Sequence, residues 1–323
     1  MSRCENGCVA RKWPDFGRAP NFPKITKAGD EPIKPSDYEW LLAIADKVKG
    51  KVRAAFLNLI EQMRNEADMQ ALRDALQSGD ITRAMSALGM GDNFPSRLST
   101  AIKPPLEDVF IEAGRAAGDR GVQTTTGQIS FGFDVSNPHA VDFLKNYDMD
   151  LIREISDETR AAVKQVVLDA FQQGGHPYQQ AKTIRQIVGL TKRQAKAVTN
   201  FRAARVAENR PAAQVDRMVA KYEQKQLRLR AENIARTETM RASNAGQDAA
   251  WNQAADKGLI NRATFKRRWL VTPDDRLCVL CAAVPALNPD GRKLGEPFIT
   301  PVGPLMYPSV HPQDRCILVA MPF

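Results

Sequence analysis

Cysteine and histidine are the scarce residues of this chain, with five Cys and three His in 323 positions. Five is an odd and sparse number, which argues against a disulfide framework. Uninterrupted apolar runs of membrane-spanning length are missing too, so no transmembrane helix is expected. The opening MSRCENGCVARKW lacks the apolar centre of a secretory signal. Together these absences point to a chain made and kept in a cytoplasm, with its thiols reduced. Cys4 and Cys8 stand in a polar tail, where a chance pair is the simplest reading.

What is present is ordinary globular material, 43% apolar and 26% charged, enough for one large domain or two smaller ones. The net charge of +9 is unevenly spread. Between Lys182 and Arg241 stand fifteen Lys or Arg against five acids, a local +10, while the rest of the chain comes to −1. A local basic excess suits an anionic polymer or surface, although a solvated helix face explains the count equally well. Lys192, Arg193, Lys196, Arg202, Arg205, Arg228 and Arg230 are the candidate phosphate contacts.

The chain reads as mainly α: an elongated helical body followed by a small irregular α+β C-terminal module, stapled by zinc. Residues 1–35 carry five prolines and form an extended arm. Residues 36–121 are helical, with Leu41, Ile44, Val48, Val52, Phe56, Leu59 and Ile60 recurring every three or four positions. Shorter helices follow, punctuated at Gly79-Asp80, at Gly89 to Asn93 and at Pro104-Pro105. Residues 122–260 form a second helical region, entered through the Thr/Gly-rich strand segment GVQTTTGQISFGFDVSNP. Within it Ser156 is expected to cap a helix ending at Gly174-Gly175, Pro177 to open the next, and Thr191 to cap another. From Pro211 to Gly258 only Gly246 interrupts a helical pattern, so one long helix or two nearly collinear ones are expected. Residues 261–323 begin with a tryptophan-bearing strand and continue with Pro or Gly every few positions. A segment with so little apolar content needs packing against the helices or a staple.

Four residues supply the staple: Cys278-x2-Cys281 and, after 29 intervening residues, His311-x4-Cys316. Thiolates two residues apart can be aimed at one ion by the turn between them, and Cys3His completes a tetrahedron that zinc accepts. With all four positions filled by protein, such a zinc is structural. Two readings compete: unrelated thiols with a surface histidine, and a Cys278–Cys281 disulfide.

The ordered set IARTETMRASNAG (234–246), KRRWLV, DDRLCVLC and SVHPQDRC resembles the phage head morphogenesis family, the Mu F-like minor head proteins of tailed phages. That family's pattern is an "ARTE" helix, a Trp-bearing strand, a CxxC and a terminal "PPxHPxCRC". Upstream, SFGFDVSNPHAVDFL, ISDETRAAV and GGHPYQQAKTIRQIVGL follow the family's order, so the resemblance covers residues 125–323. Pro308-Ser309 replaces its proline pair, and Asp314 stands where its terminal CRC has the first cysteine. The resemblance implies a minor head (capsid) protein acting in head morphogenesis at or near the portal vertex, assembled in the host cytoplasm and carried in the virion. Portal protein and major capsid protein are the partners it implies, with packaged double-stranded DNA as a further contact. It implies neither catalysis, nor a membrane, nor a small-molecule substrate.

In the ARTE helix, Glu232, Arg236, Thr237, Glu238 and Arg241 read as a polar network fixing how the helix docks against the C-terminal module. A catalytic reading of Arg236 and Glu238 lacks a nearby nucleophile. His139 and His176 sit at helix entries without ligand partners at a suitable spacing. Three functions therefore stand at this point. They are a structural virion protein, a sequence-independent DNA-binding protein for packaging or ejection, and, weakest, a metal-dependent hydrolase. Phe201 and Tyr222 are too few aromatics for base stacking in the basic segment, so any DNA contact should be to phosphates.

Overall fold

The computed structural model describes residues 38–124, 127–173, 177–271 and 277–321. The arm at 1–35, Cys4, Cys8, Gly174-Gly175 and His176 lie outside the described residues. The fold is mainly helical, with a strand-containing C-terminal region. Two compact units interleave along the chain. Of the described residues, the first takes in 38–50, Pro105–Leu144 and 233–321; the second takes in Lys51–Pro104 and Lys145–Glu232.

In the second unit, the helical period of the sequence becomes a core. Val52, Phe56, Leu59 and Ile60 of α1 (Glu39–Glu66) are all buried, as are Leu72 and Leu76 of α2 (Met69–Ser78). Gly79 closes α2 in the left-handed region at φ 72°, and Asp80 caps α3 (Ile81–Ala87) by accepting from the Arg83 N–H.

Two punctuation signals were overridden. Ser156 does not cap a helix, because α5 (Pro138–Gln173) runs straight through it. Ile152, Ile155, Thr159, Val163 and Val167 are buried, and that continuous stripe outweighs a local capping preference. Likewise α4 (Phe94–Arg120) continues through Pro104-Pro105. The burial of Ile102, Leu106, Val109 and Phe110 carries the helix across two missing N–H donors. The proline pair marks a different boundary, since the chain leaves the second unit at Pro104.

Further along, α6 (Pro177–Ile187) starts at its proline. Thr191 opens α7 (Lys192–Ala207) with a full capping box to Gln194. The long helix is continuous, α8 (Ala212–Asp256), and ends where Gly258 turns left-handed at φ 70°.

In the first unit, the Thr/Gly-rich segment forms the hairpin β1 (Val122–Thr124) and β2 (Gly127–Ile129). Gly246 of α8 explains itself here: a Cβ would lie 2.1 Å from the Phe110 carbonyl oxygen of α4. The C-terminal module is a three-stranded antiparallel sheet, β4 (Arg292–Lys293), β3 (Lys266–Leu270) and β5 (Ile317–Ala320), with α9 (Val279–Leu287) beside β3. Its core is borrowed as well as built. Trp251 and Ala254 of α8 share one apolar cluster with Phe265, Trp269, Phe298, Leu318, Cys281 and Cys316.

Candidate metal centre

Cys278 and Cys281 hold the entrance of α9. Cys278 is its N-cap residue, and its sulfur accepts the Cys281 N–H at 3.5 Å. The positive end of a helix favours a thiolate at that place. The other half of the cluster comes from the loop before β5. His311 Nδ1–H donates to the Pro312 carbonyl at 2.7 Å, which turns Nε2 towards the two sulfurs. Nε2 lies 3.0 Å from Cys278 Sγ and 3.1 Å from Cys281 Sγ.

Asp314 shapes this loop. Buried, it accepts the N–H of Val310 and the N–H of Cys316, each at 2.7 Å, so one carboxylate folds the chain between His311 and Cys316. The donor atoms of Cys278, Cys281 and His311 lie within 4.8 Å of one another, and so do those of Cys281, Asp314 and Cys316. The four residues chosen from the sequence thus meet as two overlapping triplets that share Cys281, with Asp314 as a fifth donor. Cys278, Cys281 and Cys316 are free thiols, not a disulfide. The cluster could hold a metal ion, and soft sulfur with imidazole is the chemistry of a transition-metal site.

Electrostatics describe a cluster short of a cation. The Cys278 thiol is lowered to about 4, by the Cys281 hydrogen bond first, against burial, and then by His311. Cys281 is pushed up from its ordinary 9.0, by Cys278, by Cys316 and by burial. For Cys316 the hydrogen bond from Cys281 lowers the pKa, but burial and the Asp314 carboxylate prevail and raise it. Burial works against charge on His311, yet the Cys278 sulfur and the Pro312 carbonyl raise it to about 9. A divalent cation would displace these protons. Trp269 Nε1–H, buried and without an oxygen or nitrogen acceptor, stands by the Cys316 sulfur and favours its ionised form.

A polar strip along α8 fastens the loop and β5. Gln313, left-handed at φ 64°, donates its N–H to Thr237 Oγ1 at 2.9 Å, and its side chain meets Asn233. Asn244 accepts the Leu318 N–H at 2.7 Å and donates to the Cys316 carbonyl at 3.3 Å. Gln247 donates to the Leu318 carbonyl at 3.2 Å. Of the network read from the sequence, Thr237 touches the loop directly. Glu238, buried, pairs with Arg241 at 3.4 Å, and Glu232 accepts from Arg53 at 2.9 Å. Asn233, Asn244, Gln247 and Asp314 were not selected from the sequence. For Asn244 and Gln247 the signal was there in SNAGQD, a run with two amides and an acid in mid-helix where no cap is needed.

The candidate phosphate contacts divide. Lys192, Arg193, Lys196 and Arg228 are exposed. Arg202 pairs with Asp216 at 2.8 Å and Arg205 with Glu208 at 2.8 Å. Arg230 is corrected outright: it is buried, bonded to Thr159 Oγ1, the Gly189 and Ile155 carbonyls and Glu158, and offers no charge to a phosphate. His139 has a partner after all, Asp256 at 2.8 Å. No helix of the described residues is long and apolar enough to cross a membrane. Set against protein-family models, curated proteins and solved structures, the chain finds no match.

Proposed function

We propose that the chain is a structural minor head protein of a tailed phage, acting in head morphogenesis at or near the portal vertex, with a C-terminal module stapled by zinc. One observation carries this reading. Two of the segments that resemble the phage family, about seventy-five residues apart, meet: the ARTE helix holds Gln313 through Thr237, and Gln313 lies between His311 and Cys316. Zinc suits three thiols and an imidazole, and a set filled by protein donors leaves the ion a structural task. The folding energy that such an ion adds is large for a small module with a shared core. Portal protein and major capsid protein are the partners of this reading.

Two experiments test its two parts. Elemental analysis of the purified chain should find about one zinc per molecule, and a fully folded metal-free chain defeats the staple. Cross-linking mass spectrometry on particles of the encoding phage should place the chain next to the portal protein. Particles that lack it defeat the virion role.

A further inference from the structure

We propose that the outer face of α8 between Arg217 and Arg228 is a docking surface for the phosphate backbone of a double-stranded nucleic acid, bound without regard to sequence. The family resemblance offers packaged DNA as a contact without saying where; the surface assigned here lies in the second unit, away in sequence from the metal cluster, and stands on its own charges whether or not the head-protein reading holds.

Arg217, Lys221, Lys225 and Arg228 are all exposed and follow one another at intervals of four, four and three residues. At 100° per residue they fall within an arc of about 80°, with neighbours roughly 5–6 Å apart along the axis. The one acid inside this span, Glu223, is buried and taken by Arg64 at 2.7 Å. Five cations nearby in the same unit are matched instead: Lys182 and Arg202 share Asp216, Arg205 and Arg210 share Glu208, and Arg230 meets Glu158. Among the described residues the four stripe cations make no ion pair. Like charges at i,i+4 destabilise a helix. Two such repulsions in a row and a third like pair at i,i+3, with no carboxylate among the described residues paired to any of the four, fit a surface whose counter-charge comes from outside.

A second basic feature adjoins the first. Gln194 Nε2 donates to the Gln226 carbonyl at 3.0 Å, which sets the first turn of α7 beside the Lys225–Arg228 end of the stripe. That turn carries Lys192 and Arg193, with Lys196 one turn on, all exposed. Cations at a helix N-terminus oppose its dipole, so the field there is doubly positive and suited to phosphate. Neighbouring cations along the stripe lie closer than the roughly 8 Å Debye length of physiological salt, so their potentials add. A lipid surface is the poorer occupant, because Leu229 is the single large apolar residue exposed along the face. Base reading is absent for the same reason: the neighbouring rings, Phe201 and Tyr222, stack on each other at 4.6 Å.

The test uses the full-length purified chain and fluorescence anisotropy with two unrelated 30-base-pair duplexes. Four phosphate contacts give a slope of log affinity against log salt of about −4, or roughly 200-fold weaker binding between about 50 and 200 mM salt. The two duplexes should bind alike. The variant Arg217→Gln, Lys221→Gln, Lys225→Gln, Arg228→Gln should lose most of that affinity and slope while keeping its circular dichroism and melting temperature. An equal-charge control, Lys51→Gln, Lys164→Gln, Lys257→Gln, Lys293→Gln, should bind like the parent. The proposal is overturned by no duplex binding, by a control that weakens as much as the stripe variant, or by binding to phosphatidylserine vesicles in place of duplex. None of these outcomes touches the zinc content or the virion location, so the two readings fail separately.

Discussion

Arg267, wholly buried on β3, holds Asp248 of α8 at 2.6 Å. The same guanidinium donates to the carbonyls of Lys293, Glu296 and Met306, so it gathers the strand, the turn after β4 and the later loop around one helix residue. Burial keeps the Asp248 carboxyl above its usual range even with Arg267 beside it.

Removing one partner should therefore be severe. Arg267→Met leaves Asp248 buried without its cation, and urea unfolding should show a loss of about 3–5 kcal/mol. Arg267→Met with Asp248→Leu should recover most of it, since two apolar groups replace a costly pair. A single variant as stable as the parent would remove this anchor from the account.

Gly246→Ala should destabilise although alanine is the better helix former by about 1 kcal/mol. The new methyl group would sit 2.1 Å from the Phe110 carbonyl oxygen, so α4 and α8 must part. A loss of about 2 kcal/mol or more is expected by chemical denaturation. A gain in stability would show that this crossing is looser than the structure has it.

Thr237→Val keeps the shape and removes the acceptor of the Gln313 N–H. Leaving that donor bare should cost about 1–3 kcal/mol. Because Gln313 lies within the loop that carries His311 and Cys316, zinc affinity in a chelator competition should fall roughly tenfold. Unchanged affinity would mean that α8 does not orient the donors.

Metal removal should expose chemistry as well as weaken the module. With its thiol at about 4, Cys278 is a thiolate at neutral pH in the metal-free chain. After chelation it should be the first cysteine of the cluster to react with iodoacetamide, and added zinc should protect it. Peptide mass spectrometry reads the order directly.

Acid should weaken the second unit through Asp216. The Lys182 hydrogen bond, then Arg202, outweigh burial and hold its carboxyl below the ordinary 3.8. The unfolded chain then takes up this proton first, so the contribution is present above that value and lost as pH falls through the lower folded one. Asp216→Asn should cost stability at about pH 5, and the gap to the parent should narrow towards about pH 3. A constant gap would remove the ion pairs from the explanation.

Where a signal was local, it was legible. Thr191 with Gln194, Asp80 after Gly79, and Gly258 after an unbroken helical run each act within one turn, through a single backbone bond or a single φ. The apolar period of α1 named its buried face for the same reason. Ser156 and Pro104-Pro105 misled because their local preferences are small beside a stripe of buried side chains, and burial depends on partners far along the chain.

The long helical runs, the CxxC spacing and the local basic excess could be read from the chain alone, whereas the helix that Cys278 caps could not. Spacing and charge are properties of neighbours in the chain. That Asp314 folds the loop and joins the donors, and that Arg230 is spent inside a core while Arg217, Lys221 and Lys225 are not, follow from packing between distant parts of the chain. Those outcomes depend on which distant groups arrive next to a side chain, and a carboxylate or a cation takes its role from the company it is packed with.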